Sequence, residues 1–395
     1  MASISSASFV TLLTLGLFAA VPVSSAAADA VAVDEAATAE DPAPDVLPLI
    51  EIEGSAEVQA DIGIGKRPRT SAIYATVEPE LTVNLSEYFR VHGHFIFEPV
   101  RDPVEGRMNT FRSQGIYAEE LFAGVSLGEA TFQFGKINPE FGVATDEAPG
   151  IYGFTFAEGY DFKGALGAQA KVSLSEFTEG SGEDAVTTKQ ILFGSVFTAD
   201  PSVLSRSFLT DRGLYRPGDY RVGNNDLPES FTAGYAYNTL NADDEVAGPT
   251  ARVAMRRLAA RQAGVPDEWD ILAAVQTSID LGDDLALRPI AELAYLVHEG
   301  GHKRDAGSAT IGAELQQGPW FASLVGAMHD TFGSSNPSDY LLTASIGREF
   351  ETDTTGAFRV DAAYSYGRVD AAQESVIGLR LYKDFSLSYP GAGPE

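Results

Sequence analysis

The sequence predicts an all-β protein, an antiparallel up-and-down transmembrane β-barrel of about sixteen strands. Apolar and polar residues alternate along most of the chain, and many alternating runs exceed the ~5–6 residues typical of soluble strands. Short turns and long loops alternate between these runs, as they do in barrels that cross a membrane. After residue 28 there is no long apolar run, so membrane insertion of the remaining chain would have to use strands.

The N-terminal segment predicts export. An apolar core, Phe9–Val23, precedes the small residues SSAAADA, and cleavage after Ala26 or Ala28 fits a signal peptide over 1–28. No Lys or Arg precedes this core, although signal peptides usually have a basic residue there. A membrane anchor is the alternative, but the core is shorter than the ~20 residues of a spanning helix. Residues 29–48 are acidic and rich in Ala and Pro, which predicts a solvated linker.

The first strands separate apolar from charged side chains by face. The run IEIEGSAEVQADIGIG puts Ile50 and Ile62 on one face and Glu57 and Asp61 on the other. Comparable runs cover 73–85 and 89–98. Later strands are predicted near 115–127, 129–136, 159–175, 187–199, 230–240, 268–281, 284–298, 307–317, 319–330, 339–350, 356–367 and 373–385.

One segment fits two secondary structures. TARVAMRRLAARQA, residues 250–263, reads as one more strand or as a basic amphipathic helix. Counting it as a strand gives an even total, which bacterial barrels have.

The hairpin over 268–298 shows the alternation most clearly. From Trp269 to Leu281 the odd positions other than Thr277 are apolar, and after the turn they are apolar again, from Leu285 to Val297. The even positions include Asp270, Glu292 and other polar residues. We therefore expect the odd face of this hairpin to contact lipid and the even face to line a wet interior.

The connections form two classes, as expected for a barrel with both termini on one rim. Short turns are predicted at 85–87, 127–130, 281–284, 317–319 and 351–356, with two longer ones near 176–186 and 241–250. Long loops are predicted on the opposite rim, at 99–114, 137–158 and 200–229. The first loop on that rim, 65–70, is an exception because it is short.

Composition narrows the range of partners. The chain of 395 residues has a formal charge of −29, so nucleic acid is excluded as a partner because phosphate binding needs a basic surface. The chain has no cysteine, which is compatible with an oxidising compartment. A secreted soluble β-protein, with the apolar face as a packed core, is the alternative fold interpretation. The absence of a visible internal repeat argues against a propeller.

Two short motifs resemble a known family. FQFGKINPEFG, residues 132–142, is similar to the FGK-x-N-P-x-FG segment that ends an up-going strand in many Gram-negative outer-membrane porins. SVIGLRLYKDF, residues 375–385, resembles their last strand, which finishes on an aromatic residue. This chain departs from the family in continuing past Phe385. The resemblance covers the strand rhythm from about 49 to 386, leaving 387–395 as a C-terminal extension.

The resemblance implies a sixteen-stranded general-diffusion porin in the outer membrane of a Gram-negative bacterium. Its implied partners are membrane lipid, lipopolysaccharide and small hydrophilic solutes or ions, and its implied assembly is a homotrimer. The alternatives are a secreted β-protein that binds a carbohydrate or protein, and a non-conducting structural or adhesive barrel. Neither the solute nor the oligomeric state follows from the strand pattern.

A pore constriction is the candidate site, because charged rings and constrictions set pore selectivity. The resemblance implies that the loop 137–158 folds inward, and this loop carries Glu140, Asp146, Glu147 and Glu158. We expect Glu140, Asp146 and Glu147 to face wall cations across the pore; the alternative is that all these charges are merely solvated. The net negative charge favours a mild cation preference. The candidate wall cations are Arg90, Lys163, Lys171, Arg288, Arg359 and Arg380.

Other functions have little support in the sequence. His92 and His94 share a strand face, but no Cys or third His lies nearby, so no metal ion or other cofactor is predicted. No GxSxG motif is present and no enzymatic activity is predicted. The arginine-rich loop 205–231 is interpreted as a lipopolysaccharide-facing loop, a trimer latch or a solute lid.

Overall fold

The structure is a computed structural model, and it describes residues 49–64, 70–182, 185–213, 222–242, 245–334, 338–352, 356–369 and 372–389. The predicted signal peptide 1–28 and linker 29–48 lie outside the described residues. Within these ranges, no helix is long and apolar enough to cross a membrane. The helix α1, Ala144–Glu147, is four residues long, and three single-turn 3₁₀ segments also occur.

The described chain forms one sheet that closes on itself and is antiparallel except where one short strand, Met108–Thr110, runs parallel to its neighbour. Its first seven strands are β1 Ile50–Gly63, β2 Ser71–Asn84, β3 Phe89–Pro99, β4 Met108–Thr110, β5 Gln114–Leu127, β6 Ala130–Ile137 and β7 Ala165–Glu179. The next six are β8 Val186–Ala199, β9 Phe208–Leu209, β10 Ser230–Leu240, β11 Thr250–Leu258, β12 Glu268–Gln276 and β13 Ile279–Gly282. The last six are β14 Leu285–Val297, β15 Ala306–Gln317, β16 Trp320–Thr331, β17 Asp339–Phe350, β18 Phe358–Val369 and β19 Ala372–Tyr389.

Closure comes from the first and last strands. β1 pairs with β2 on one side and with β19 on the other, in register from Ile50 opposite Tyr389 to Gly63 opposite Val376. β12 and β13 both pair with β14, so they form one interrupted wall strand, while β4 and β9 are short additions at the long-loop rim. The wall therefore has sixteen strands within the described residues, and the predicted fold class is confirmed.

The first part of the ambiguous segment 250–263 is a strand in the structure, β11 over Thr250–Leu258. β11 pairs with β10 and β12, and this pairing places Arg256 opposite Asp270. The last strand also differs from the expectation, because β19 continues past Phe385 to Tyr389, in register with Ile50 of β1. The first residues of the predicted extension therefore complete the closing strand.

Large apolar side chains cover the outward face of the wall. Ile311, Leu324 and Ile346 are each more than half exposed, at 59%, 57% and 58%. They alternate along their strands with buried residues such as Thr310 and Ser345. This alternation gives the wall an apolar outer surface and polar inward side chains, as the period of two predicts.

The hairpin between β13 and β14 has the geometry that its sequence predicts. Asp283 and Asp284 occupy the two turn positions with φ of 53° and 58°, the left-handed values of a two-residue type I′ turn. Aspartate tolerates this conformation better than most residues. The short turns, including 85–88, 128–129 and 318–319, lie on one rim, and the long loops lie on the other.

The prediction that the even face of the hairpin over 268–298 lines a wet interior is wrong where another segment of the chain covers that face. Ala254, Leu272, Ile290 and Leu296 point inward from β11, β12 and β14 and are buried, together with residues of the segment 138–164. We call this segment, which folds into the barrel, the inward loop. Apolar residues at these even positions are dry because the inward loop covers them.

The inward loop also leaves a gap in the wall. β6 ends at Ile137, so the upper part of β5 has no neighbour in β6. The short strand β9 pairs there with Gly115 and Ile116 of β5. Lys136 is fully buried beneath this segment, where its Nζ lies 3.1 Å from Asp200 and 3.1 Å from the Ser205 hydroxyl.

Candidate pore constriction

The inward loop is fastened at its base by Asn138, within the FGKINPEFG motif. The Asn138 side-chain oxygen accepts the Gly164 N–H at 2.7 Å, which ties the start of the loop to its end. The Asn138 amide group donates to Glu119 at 3.0 Å, and its backbone N–H donates to Glu120 at 2.7 Å. An asparagine suits this position because it offers an acceptor and two donors in one short side chain.

A β-bulge brings two consecutive glutamates to this base. The pairing of β3 with β5 shifts after His94, which lies opposite Glu120, whereas Phe95 lies opposite Ala118. Glu119 is the extra residue, and both it and Glu120 reach Asn138. A bulge can turn neighbouring side chains to one face, which a regular strand cannot do.

Glu292 of β14 fastens the middle of the loop. Its Oε2 accepts the Val143 N–H at 2.6 Å and the Ala144 N–H at 3.2 Å, and its Oε1 accepts the Tyr160 hydroxyl. The residue is 0% exposed. Gly142 permits this approach, because a Cβ there would lie 2.9 Å from Oε1.

The tip of the loop reaches the opposite wall. The Tyr152 hydroxyl donates to Asp61 of β1 at 2.5 Å. Gly150 lies against the wall with a φ of 85°, and a Cβ there would be 2.5 Å from the Ser345 hydroxyl and 2.8 Å from that of Ser323. The loop therefore crosses the interior, with contacts on β14, β16, β17 and β1.

An apolar cluster with one embedded cation packs against the loop. Phe141 and Tyr160 of the loop meet edge to face, with ring centroids 6.4 Å apart. The Arg256 guanidinium lies 4.3 Å from the centroid of the Phe141 ring and pairs with Asp270 at 2.7 Å. The carboxylate compensates for the hydration that this buried guanidinium has lost.

The inward loop separates two cavities. The upper cavity, about 810 Å³, opens toward the long-loop rim and includes Lys136, Arg256, Glu268 and His302 in its lining. The lower cavity, about 610 Å³, lies on the short-turn side. Of the residues lining them, Glu158 and Lys163 are common to both cavities. These two side chains therefore stand where the cavities adjoin.

The lower cavity brings together six of the nine residues predicted to form a constriction. Arg90, Glu140 and Lys171 line neither cavity. Arg90 lies at the start of β3, near the short-turn rim, with its side chain against Gly124 of β5. The six are Asp146, Glu147, Lys163, Arg288, Arg359 and Arg380.

Glu140 forms the expected contact between a loop carboxylate and a wall cation. It pairs with Lys171 of β7, and Arg252 of β11, which the sequence did not single out, lies 3.8 Å away. Burial would raise the pKa of Glu140, but the two cations together hold this pKa below its usual value. The Arg252 guanidinium also donates to the Gly142 carbonyl at 2.8 Å, which holds the loop down.

Lys163 differs from its predicted place. The inward loop extends to residue 164, so Lys163 belongs to the loop and not to a wall strand. It pairs with Asp146 at 3.4 Å and with Asp161 at 3.9 Å. Burial opposes protonation, but the surrounding carboxylates raise the pKa of Lys163, so it is cationic at neutral pH.

The other wall cations pair with carboxylates outside the inward loop. Arg288 lies 3.4 Å from Glu245 of a short turn, and Arg359 lies 2.9 Å from Glu314 of β15. Arg380 contacts Asp361 at 2.8 Å. Glu147 of the loop makes no ion pair with another described residue, and burial, followed by the charge of Asp146, raises its pKa. The proposed constriction, in which loop carboxylates face wall cations across the pore, thus remains a prediction. Glu140 and Lys171 form a direct ion pair between the loop and the wall.

Sequence reasoning missed Glu292 and Arg252 as loop-holding residues, and it did not place Glu158 among the constriction residues. The NP motif pointed to Asn138, but no local signal marks Glu292, whose partners Val143 and Ala144 are 149 and 148 residues away. These contacts depend on closure of the barrel.

The remaining candidates lie at the periphery. Arg206 pairs with Asp211 at 2.6 Å on the surface, and Arg212 stacks 3.4 Å from the Tyr117 ring centroid. Tyr215, Arg216, Tyr220 and Arg221 lie outside the described residues. His92 and His94 lie near Glu80 and Glu119 at 3.8 Å and 3.5 Å. Within the described ranges, no group of three or more His, Cys, Asp or Glu is arranged to hold a metal ion.

Comparisons with known proteins give likenesses of fold. No family model matches the sequence, and no curated protein matches it. The outer membrane channel DcaP of Acinetobacter baumannii matches with a TM-score of 0.49 and 13% identity over 85% of this chain and 97% of that one. OccAB3 of the same species matches with a TM-score of 0.47 and 9% identity over 86% of this chain and 99% of that one. OccK1 (OpdK) of Pseudomonas aeruginosa matches with a TM-score of 0.45 and 8% identity over 86% of this chain and 99% of that one. At TM-scores below 0.5, these likenesses carry no argument about function.

Proposed function

We propose that the protein is an outer-membrane porin, a water-filled pore for passive diffusion of small hydrophilic solutes or ions. The observation that supports this most directly is the closed sixteen-strand wall, apolar outside and largely polar inside, with an inward loop between two cavities. A closed sheet satisfies its backbone hydrogen bonds within the wall, as a structure surrounded by lipid must.

The placement in an outer membrane rests on the outer surface and on the predicted export signal. Rows of exposed isoleucine and leucine on β15, β16 and β17 would be unfavourable in water over such an area. In a bilayer the same rows contact hydrocarbon. The surrounding lipid and lipopolysaccharide are the partners proposed for this surface and for the long-loop rim.

Diffusion through such a pore needs no bound cofactor and no conformational cycle. Solutes would be filtered by the width that the inward loop leaves free and by the charges around it. The anchors at Asn138, Glu292 and Tyr152 hold the loop at three points, so the opening would have one defined size. No catalytic activity is proposed.

Liposome swelling tests this function. The chain without residues 1–28 is reconstituted into liposomes, which are diluted into iso-osmotic sugars of increasing mass. We expect fast swelling with small sugars and slower swelling with larger ones, and none in liposomes without protein. Rates no higher than those of protein-free liposomes would contradict the pore and would leave a non-conducting structural barrel.

A trimer is proposed only from the family resemblance, and cross-linking in detergent tests it.

A further inference from the structure

A carboxylate without a partner stands where the two cavities adjoin. Glu158 lines both cavities, and its side chain is exposed to them. Its carboxylate makes no hydrogen bond or ion pair with another described residue within ordinary distance, whereas its backbone N–H donates to the Phe154 carbonyl at 3.1 Å. The residues on either side fix its position, because Ala157 is fully buried and the Tyr160 hydroxyl is bonded to Glu292.

Most of the lysine and arginine side chains that line the two cavities lie beside a carboxylate. In the lower cavity, Lys163, Arg359 and Arg380 each lie within 3.4 Å of a carboxylate, and Arg288 lies at the same distance from Glu245. In the upper cavity, Lys136 and Arg256 are paired in the same way, at 3.1 Å and 2.7 Å. A paired charge contributes little to the field felt by a passing ion.

Carboxylates also outnumber cations around both cavities. The lower cavity has seven Asp and Glu residues against four Lys and Arg residues in its described lining, and the upper has six against four. The excess charge is negative on both sides of the junction, so the local potential favours cations. At the junction itself the two shared residues are Glu158 and Lys163, and Lys163 is engaged by Asp146 and Asp161.

We propose that the Glu158 carboxylate makes this pore selective for cations. The inference rests on the proposed function and specifies the class of permeant ion. A cation moving between the cavities passes an uncompensated negative charge, whereas an anion is repelled there. In a water-filled lumen, one elementary charge a few ångströms away corresponds to roughly a fivefold change in relative permeability.

The groups facing Glu158 make this selectivity depend on pH. Partial desolvation by the surrounding loop and wall is the main cause that raises the pKa of Glu158, whose net value is about 7. Lys163 acts in the opposite direction, whereas the charges of Glu98 of β3, Asp161 of the loop and Glu119 of β5 contribute to the rise. A carboxyl group with this pKa is charged at pH 8 and mostly neutral at pH 6. Cation preference should therefore weaken as the pH falls through 7.

Reversal potentials across planar bilayers under a KCl gradient test the proposal. We expect E158Q to lower the cation-to-anion permeability ratio about fivefold at pH 8. K163Q should raise this ratio, because it releases the carboxylates of Asp146 and Asp161. E105Q is the matched control, since Glu105 is an exposed residue of the long-loop rim outside both cavity linings.

The pH series supplies a second readout. The wild-type ratio should fall between pH 8 and pH 6, while that of E158Q should stay constant. A wild-type reversal potential in E158Q, or an equal shift in E105Q, would overturn the proposal. A wild-type protein that does not conduct would instead contradict the proposed function, so the two failures are distinguishable.

Discussion

Removal of the Glu292 carboxylate should release the middle of the inward loop. In E292A, three donors lose their acceptor: the backbone N–H groups of Val143 and Ala144, at 2.6 Å and 3.2 Å, and the Tyr160 hydroxyl. Because all three are buried with the carboxylate, water does not replace it without local opening.

The magnitude follows from the number of lost bonds. Hydrogen bonds to a charged group contribute roughly 1.5–3 kcal/mol each, and relaxation recovers part of this, so about 3–6 kcal/mol is a reasonable range. Every 1.4 kcal/mol is a factor of about ten, so the equilibrium between fastened and released loop should shift at least ~100-fold. The contacts of Asn138 and Tyr152 remain, so the loop should become mobile and stay attached at both places.

Single-channel recording and thermal unfolding in detergent measure the two consequences. We expect E292A to show a larger mean conductance, stronger open-channel noise and a lower unfolding temperature. E292Q is the matched control: its oxygen can accept the two backbone N–H groups while its amide donates to the Tyr160 hydroxyl, so its effects should be small. Wild-type conductance and wild-type unfolding temperature in E292A would refute the anchoring role.

Three further predictions concern the other contacts of the loop. Y152F loses the 2.5 Å hydrogen bond from the loop tip to Asp61 and should increase open-channel noise. Y74F loses a 3.2 Å hydrogen bond to the same carboxylate from a residue outside the loop, and its noise should stay at the wild-type level. Equal noise in the two variants would contradict the role of the tip. G150A should reduce the free energy of unfolding by about 1–2 kcal/mol and lower the unfolding temperature, because Gly150 has a φ of 85° and lies close to Ser345. G159A should leave the unfolding temperature unchanged, because a Cβ at Gly159 would meet open space. N138A should reduce the stability of the barrel by about 2–3 kcal/mol in denaturant unfolding, since it breaks the bonds to Gly164 and Glu119, and an unchanged midpoint would show that the base is held elsewhere.

The strands could be predicted because apolar and polar residues alternate within each one, and this pattern is visible without knowledge of the neighbouring strands. Most wall strands lie close to their predicted ranges, although β7 begins at Ala165 and not at 159. The LGDD turn forms where two consecutive aspartates permit positive φ. Segment 250–263 could not be decided locally, because its arginines suit a helix or a strand. The structure decides it through pairing, which gives Arg256 a carboxylate partner on the next strand.

The interior was harder to predict than the wall. Leu272 and Ile290 are apolar residues at even positions of the hairpin, and this departure from alternation was the available signal that the inward loop covers them. The loop was predicted to end at 158 because polar and apolar residues alternate through Tyr160 and Lys163. The hydrogen bond from Tyr160 to Glu292 and the hydrogen bond from Gly164 to Asn138 instead keep these residues within the loop.

The central claim is a tube with an apolar outside and an aqueous inside, and ionic conductance is its most direct test. The chain lacking residues 1–28, purified in detergent, is added to one side of a planar lipid bilayer. Stepwise current increases that scale with salt concentration are the predicted result. A chain that remains monodisperse and folded in detergent-free buffer, and that produces no current steps, would contradict the claim.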